Sequence, residues 1–117
     1  MNNKEIVTKM VNAFLSKDID TVLANMTDDV QMGWPGYFDL APGKDAVKKF
    51  FSDVPELVAG KVGEIVAEGS KVAATGTVTS KEKDGSLKNS FFCDWYEIEN
   101  GKVKSIKSYM IFEQKQP

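Results

Sequence analysis

Residues 86–113 read SLKNSFFCDWYEIENGKVKSIKSYMIFE, and their alternation decides the fold. Within FFCDWYEI, residues 91–98, one parity carries Phe92, Tyr96 and Ile98 and the other Phe91, Cys93 and Trp95. That is the period of two expected of a strand, here with both faces apolar. Asn100-Gly101 is a hairpin signal, and the run after it is again rich in strand formers. Further back, Asp84-Gly85 and Gly69-Ser70 are two more turn signals. The three turns separate runs at 61–68, 71–83, 86–99 and 102–113, which predict a four-stranded antiparallel meander.

The first 60 residues have a different period. Ile6, Met10 and Phe14, with Val7, Val11 and Leu15, recur every four positions and predict a helix capped by Asn2 or Asn3. Asp18 suits the N-cap of a short second helix, and Thr27-Asp28-Asp29 reads as a turn before a short strand at 30–34. PGYFDLAPG, residues 35–43, reads as an irregular loop. A third helix is expected from about Lys44, ended by Pro55. Helices first and strands after give an α+β fold in the order α-α-β-α-β-β-β-β, with the helices on one face of the sheet.

The chain's 117 residues suit a single domain, 1–117. Fifteen cations against 17 anions, spread along the chain, leave no basic stripe for nucleic acid. There is no histidine, and every cation is a lysine. Imidazole chemistry, histidine-held metals and bidentate arginine clamps are therefore excluded, and neither a metal nor a cofactor is expected. Cys93 is the single cysteine, so no internal disulfide forms. No apolar run is long enough to span a membrane, and the start MNNKEIV does not read as a signal peptide. A cytoplasmic protein is the expectation.

One face of the meander packs under the helices, and no helix remains for the other. Antiparallel sheets usually turn a polar face to water, whereas Phe91, Cys93, Trp95, Tyr109 and Ile111 make this one apolar. A homodimer pairing through that face is expected.

Register decides what the inner face holds. A two-residue turn at Asn100-Gly101 sets Asp94 opposite Lys107. A three-residue loop with Gly101 as a bulge sets Asp94 opposite Ser108, Tyr96 opposite Ile106 and Phe92 opposite Met110. The readings exclude each other, because a one-residue slip moves side chains to the other face. The bulged register gives the cleaner apolar inner face and is preferred.

LSKDIDTVLANMTDDV, APGKDAVKKFF, EIVAEGSKVAATGTVT and FFCDWYEIENGKVKSIKSYM, in that order, span almost the whole chain. Together they resemble the nuclear-transport-factor-2-like superfamily, in its SnoaL-like and ketosteroid-isomerase-like branch. The resemblance implies a conical fold, with a curved sheet wrapping three helices around a deep, mostly apolar pocket, and frequent dimers through the convex face. It also implies positions for the three ketosteroid-isomerase groups. The base position falls on Trp34, the tyrosine position on Met10, and only the second aspartate survives, as Asp94. An Asp–Arg–Asp epoxide-hydrolase constellation needs an arginine this chain lacks.

Asp94 is thus the candidate catalytic or ligand-anchoring group. In the pocket, a desolvated carboxyl has a raised pKa and serves as weak base or hydrogen-bond donor; the plain alternative is a carboxyl satisfied by Tyr96, Ser108 or backbone. Met10, Phe14, Trp34, Tyr37 and Phe51 are candidate ligand contacts from the first half of the chain. Phe92, Tyr96, Ile106, Ser108 and Met110 are those from the second. Trp34 either stacks on a flat ligand or plugs the cavity. The reading is a pocket that binds, with isomerase- or hydrolase-type proton transfer in view, a small apolar molecule with one polar handle at Asp94; the alternative is a non-catalytic ligand-binding or protein-interaction dimer of the same fold.

Overall fold

A computed structural model describes residues 1–113. Helix α1, Asn3–Leu15, starts at a capping box: Glu5 N–H donates to Asn2 Oδ1 at 2.8 Å, and Asn2 N–H donates to the Glu5 carboxylate. Helix α2, Ile19–Ala24, is capped by Asp18, whose carboxylate accepts from the Thr21 amide and hydroxyl. Helix α3, Lys44–Asp53, ends at Val54, before Pro55. Strands β1 (Met26–Trp34) and β2 (Phe38–Asp39) precede α3, and β3 (Glu56–Glu68), β4 (Lys71–Lys81), β5 (Leu87–Glu99) and β6 (Lys102–Phe112) follow it. They form one six-stranded sheet in the order β2-β1-β6-β5-β4-β3. Only the β1–β6 pair is parallel.

The α+β expectation holds, with local corrections. Residues 35–43 are not wholly irregular. Gly36, at φ 88°, lets the Tyr37 amide bond back to the Trp34 carbonyl, and Phe38 and Asp39 then pair with Trp34 and Gly33 as β2. Thr27-Asp28-Asp29 is not a turn but part of β1. Met26 pairs with Val103 and Gln31 with Ser105, so β1 carries surplus residues that its irregularity absorbs. Strand β3 begins at Glu56 rather than at 61, directly after Pro55.

The turn at Asn100-Gly101 has two residues, both at positive φ (52° and 77°), with Glu99 paired to Lys102. The expected three-residue loop is absent, yet Asp94 lies opposite Ser108, Tyr96 opposite Ile106 and Phe92 opposite Met110. The shift comes instead at Lys104. Ile98 pairs with Val103 and Glu97 with Ser105, leaving Lys104 as the surplus residue of a bulge. Both Val103 and Ile106, three apart, are thereby buried. Lys104 Nζ rests 3.5 Å from the carboxylates of Glu97 and Glu99. Strand β3 repeats the device between Val62 and Ile65.

These bulges bend the sheet around the helices. Helix α1 crosses β3 and β4, while α3 lies against β1. A Cβ at Gly76 would overlap the Phe92 ring and the Lys61 carbonyl, so that glycine lets Phe92 lie flat on the inner face. The core runs through Val7, Met10, Val11, Val72, Ala74, Tyr96 and Ile106. On the outer face, Phe91 pairs with Ile111 and Cys93 with Tyr109, beside Trp95. Apart from the half-buried Cys93, these side chains are exposed, from 41% at Trp95 to 68% at Ile111. Among the described residues no helix is long and apolar enough to cross a membrane.

Candidate functional site

The concave face does not close completely on the helices. The C-terminal turns of α1 contribute Val11, Phe14 and Leu15, and α3 contributes Phe50 and Phe51. With the β1–β2 hairpin and the inner rows of β4, β5 and β6, they enclose a cavity of about 450 Å³. Its helix side is aromatic: Phe14 stacks on Phe51 at 5.0 Å, and Phe50 meets Phe51 edge-on at 5.6 Å. Trp34 is held between Phe38 (4.7 Å) and Phe50 (4.6 Å). It forms a wall of the cavity and does not fill it. Tyr37 stands at the rim, largely exposed.

Asp94 enters this wall from the middle of β5. Ser108 Oγ donates to its Oδ1 at 2.6 Å, and the Tyr96 hydroxyl approaches Oδ2 at 3.5 Å, the outer limit of such a bond. Burial raises the carboxyl from 3.8 to about 6, against the opposing pull of the Ser108 and Tyr96 hydrogen bonds. Burial, and then the Asp94 charge, push the Tyr96 phenol well above its ordinary value, so Tyr96 stays a neutral donor. The arrangement is a carboxyl that changes protonation near neutrality beside apolar space. Ionised, it accepts a proton or a hydrogen bond; protonated, it donates one.

Of the residues singled out in the sequence, Phe14, Trp34, Tyr37, Phe51, Phe92, Asp94, Ser108 and Met110 share this cavity. Met10, Tyr96 and Ile106 do not reach it; all three are fully buried behind the wall. Met10 lies one helical turn before Phe14, where α1 and the sheet are in direct contact. Tyr96 and Ile106 lie below Asp94 and Ser108 on their strands, where the same closure applies. Tyr96 still touches the site, through its approach to Asp94. The sequence reading missed Ser80 and Ser90 on the wall, and Glu82 and Lys88 nearer the strand ends. Lys88 and Ser90 have the parity of Asp94 on β5, so alternation alone carried the signal. A smaller cavity of about 200 Å³ lies behind Phe51, between Ala13, Ile19 and Val22.

The sequence profile of the SnoaL-like domain family matches residues 7–106. No curated protein matches the chain at a significant level. Among solved structures, a candidate ketosteroid isomerase of Kribbella flavida superposes with a TM-score of 0.83 at 15% identity, over 98% of this chain and 82% of that one. An LEH-like epoxide hydrolase of M. tuberculosis superposes at 0.79 and 20% identity, over 95% of this chain and 82% of the other. TerC, co-crystallised with polyporic acid, superposes at 0.76 and 23% identity, over 95% and 91%. At these identities the likeness is one of fold.

Proposed function

The chain belongs to the SnoaL-like domain family, and from that premise we propose that it is a small-molecule binding protein, whose cavity takes an apolar ligand with a polar handle at Asp94. The observation that carries the reading is the cavity itself, of about 450 Å³, walled by apolar and aromatic side chains around one deeply set carboxyl. Sites of this size with a few convergent polar groups are the usual form of small-molecule pockets. TerC, of the same fold, was co-crystallised with polyporic acid, which supports the reading without naming this chain's ligand.

The test is titration with N-phenyl-1-naphthylamine, a neutral apolar dye. Saturable, one-to-one enhancement is expected, and Met110→Trp, which adds bulk to the β6 side of the cavity, abolishes it while the circular dichroism spectrum is retained. Dye binding indifferent to Met110→Trp would sink the reading.

A carboxyl raised to about 6 on an apolar wall favours a second reading, proton-transfer catalysis. Asp94 then acts as the base, without the tyrosine partner that Met10 replaces. 5-Nitrobenzisoxazole reports such a base: loss of its ring C–H proton to the carboxylate breaks the N–O bond. A rate that rises through pH 6 and vanishes in Asp94→Asn supports catalysis; a rate equal in the two proteins removes it.

The outer sheet face supports a further proposal, that two copies pair through Phe91, Cys93, Trp95, Tyr109 and Ile111. Sedimentation equilibrium decides it, a monomeric mass at micromolar concentration being the contrary result.

A further inference from the structure

Strand β5 presents every second residue to the concave face. Lys88, Ser90, Phe92 and Asp94 therefore form one row, and all four line the main cavity. The proposed function uses only the last of them. At the other end of the row, Ser90 is 4% exposed, and its Oγ donates to the Val78 carbonyl at 3.4 Å. That is long for a hydroxyl donor, whose bonds centre on about 2.7–2.8 Å. The bond is weak, so the Ser90 hydroxyl can exchange it for a better-placed acceptor at modest cost.

Its surroundings say what kind of group completes it. Lys88, two residues earlier on β5, stands with its Nζ 4.1 Å over the Phe112 ring at the same end of the cavity. Both Ser90 and Lys88 donate hydrogen bonds. Glu82 also lines this end and disfavours a full negative charge, so a neutral acceptor such as a carbonyl fits better than a carboxylate. At the Asp94 end, Oδ1 is already taken by Ser108, and the ionised carboxylate accepts from a hydroxyl. Four residues of strand, about 13 Å, separate the two ends. Between them lies the flat Phe92 ring, packed over Gly76, facing the aromatic helix side.

We propose that Ser90 is a second ligand-anchoring residue, and that the cavity selects an elongated, flat, apolar molecule with a carbonyl at the Ser90 end and a hydroxyl at the Asp94 end. This rests on the reading that the cavity holds a ligand, and it goes further by giving that ligand two ends and an orientation.

Three rigid two-ring probes test it by calorimetry at pH 7.5: 4-phenylphenol, 4-acetylbiphenyl and 4-acetyl-4′-hydroxybiphenyl. The two-ended probe is expected to bind about tenfold tighter than either one-ended probe, the equivalent of one good hydrogen bond. Ser90→Ala removes that advantage and leaves the affinity for 4-phenylphenol unchanged, which also reports that the variant is folded. A two-ended probe no tighter than 4-phenylphenol, or a Ser90→Ala loss equal for both, overturns the assignment of Ser90 and spares the cavity reading. Absence of binding by all three probes overturns both.

Discussion

On one strand, β5, both faces carry apolar groups, but only one of them is covered. The inner row, Ser90, Phe92, Asp94, Tyr96 and Ile98, packs under the helices, with its polar atoms hydrogen-bonded to neighbours in the same chain. The outer row holds Phe91 and Trp95, large apolar groups that stand exposed, beside the half-buried Cys93. A soluble antiparallel sheet ordinarily buries the apolar face and wets the polar one. The difference teaches that burial within the chain accounts for only one of the two apolar faces. Inside, polar atoms sit beside space; outside, apolar area faces solvent.

The largest expected effect breaks the inner row. Asp94 titrates at about 6 in the folded chain against 3.8 ordinarily, so between those values the folded state keeps a proton that the unfolded chain has released. The Asp94 contribution to stability is therefore full below about pH 4, falls as pH rises from about 4 to 6, and is level above that, losing on the order of 3 kcal/mol in all. Urea titrations should show this fall in the wild type and its removal in Asp94→Asn, which is the more stable protein at pH 7.5. Asp18 and Asp84, both lowered by hydrogen bonds to Thr21 and Ser86 respectively, act below the ordinary carboxylate range and leave this window clear.

Next, Trp95→Lys breaks the outer row. If two copies pair there, the variant should weaken dimerisation by about a hundredfold in sedimentation, because the charge is desolvated among apolar groups. It should leave dye binding in the cavity intact; coupled loss of both would mean that the faces are not independent.

A smaller effect sharpens the boundary between the rows. Val103 is inward only because the bulge falls at Lys104. Val103→Ala should cost about 2 kcal/mol in chemical unfolding. A neutral result would place Val103 on the outer face and restore the loop-bulge register. Smallest is Ser108→Ala, which deletes the bond that holds Asp94 down. The carboxyl should move above 6, by on the order of one pH unit, in carbon NMR titration. An unmoved value would mean that the 2.6 Å contact contributes nothing to the charged form.

Much of this was readable in advance because it is local. The caps at Asn2 and Asp18, the stop at Pro55 and the three hairpin turns rest on side chains within a few residues of each other. The parity of Asp94 against Trp95 needs nothing but the strand period. The register of β5 on β6 was foreseen for a partly mistaken reason. The signal for the true cause was present, as Val103 and Ile106 are spaced three apart, which a regular strand cannot bury on one face. Val62 and Ile65 carry the same mark.

The sequence by itself therefore determined the helices, the meander and which side chains share a face, because those follow from backbone periods and capping chemistry along a continuous segment. Tertiary structure alone decided where the helices stop touching the sheet. Hence Phe14 borders the cavity while Met10, one turn away, is sealed behind it. It alone decided that β2 pairs with the end of β1, that β1 runs parallel to β6, and that Asp94 is dry enough to titrate near 6. Cavities, parallel pairing and desolvation depend on distances between segments far apart in the chain, and no local pattern encodes those.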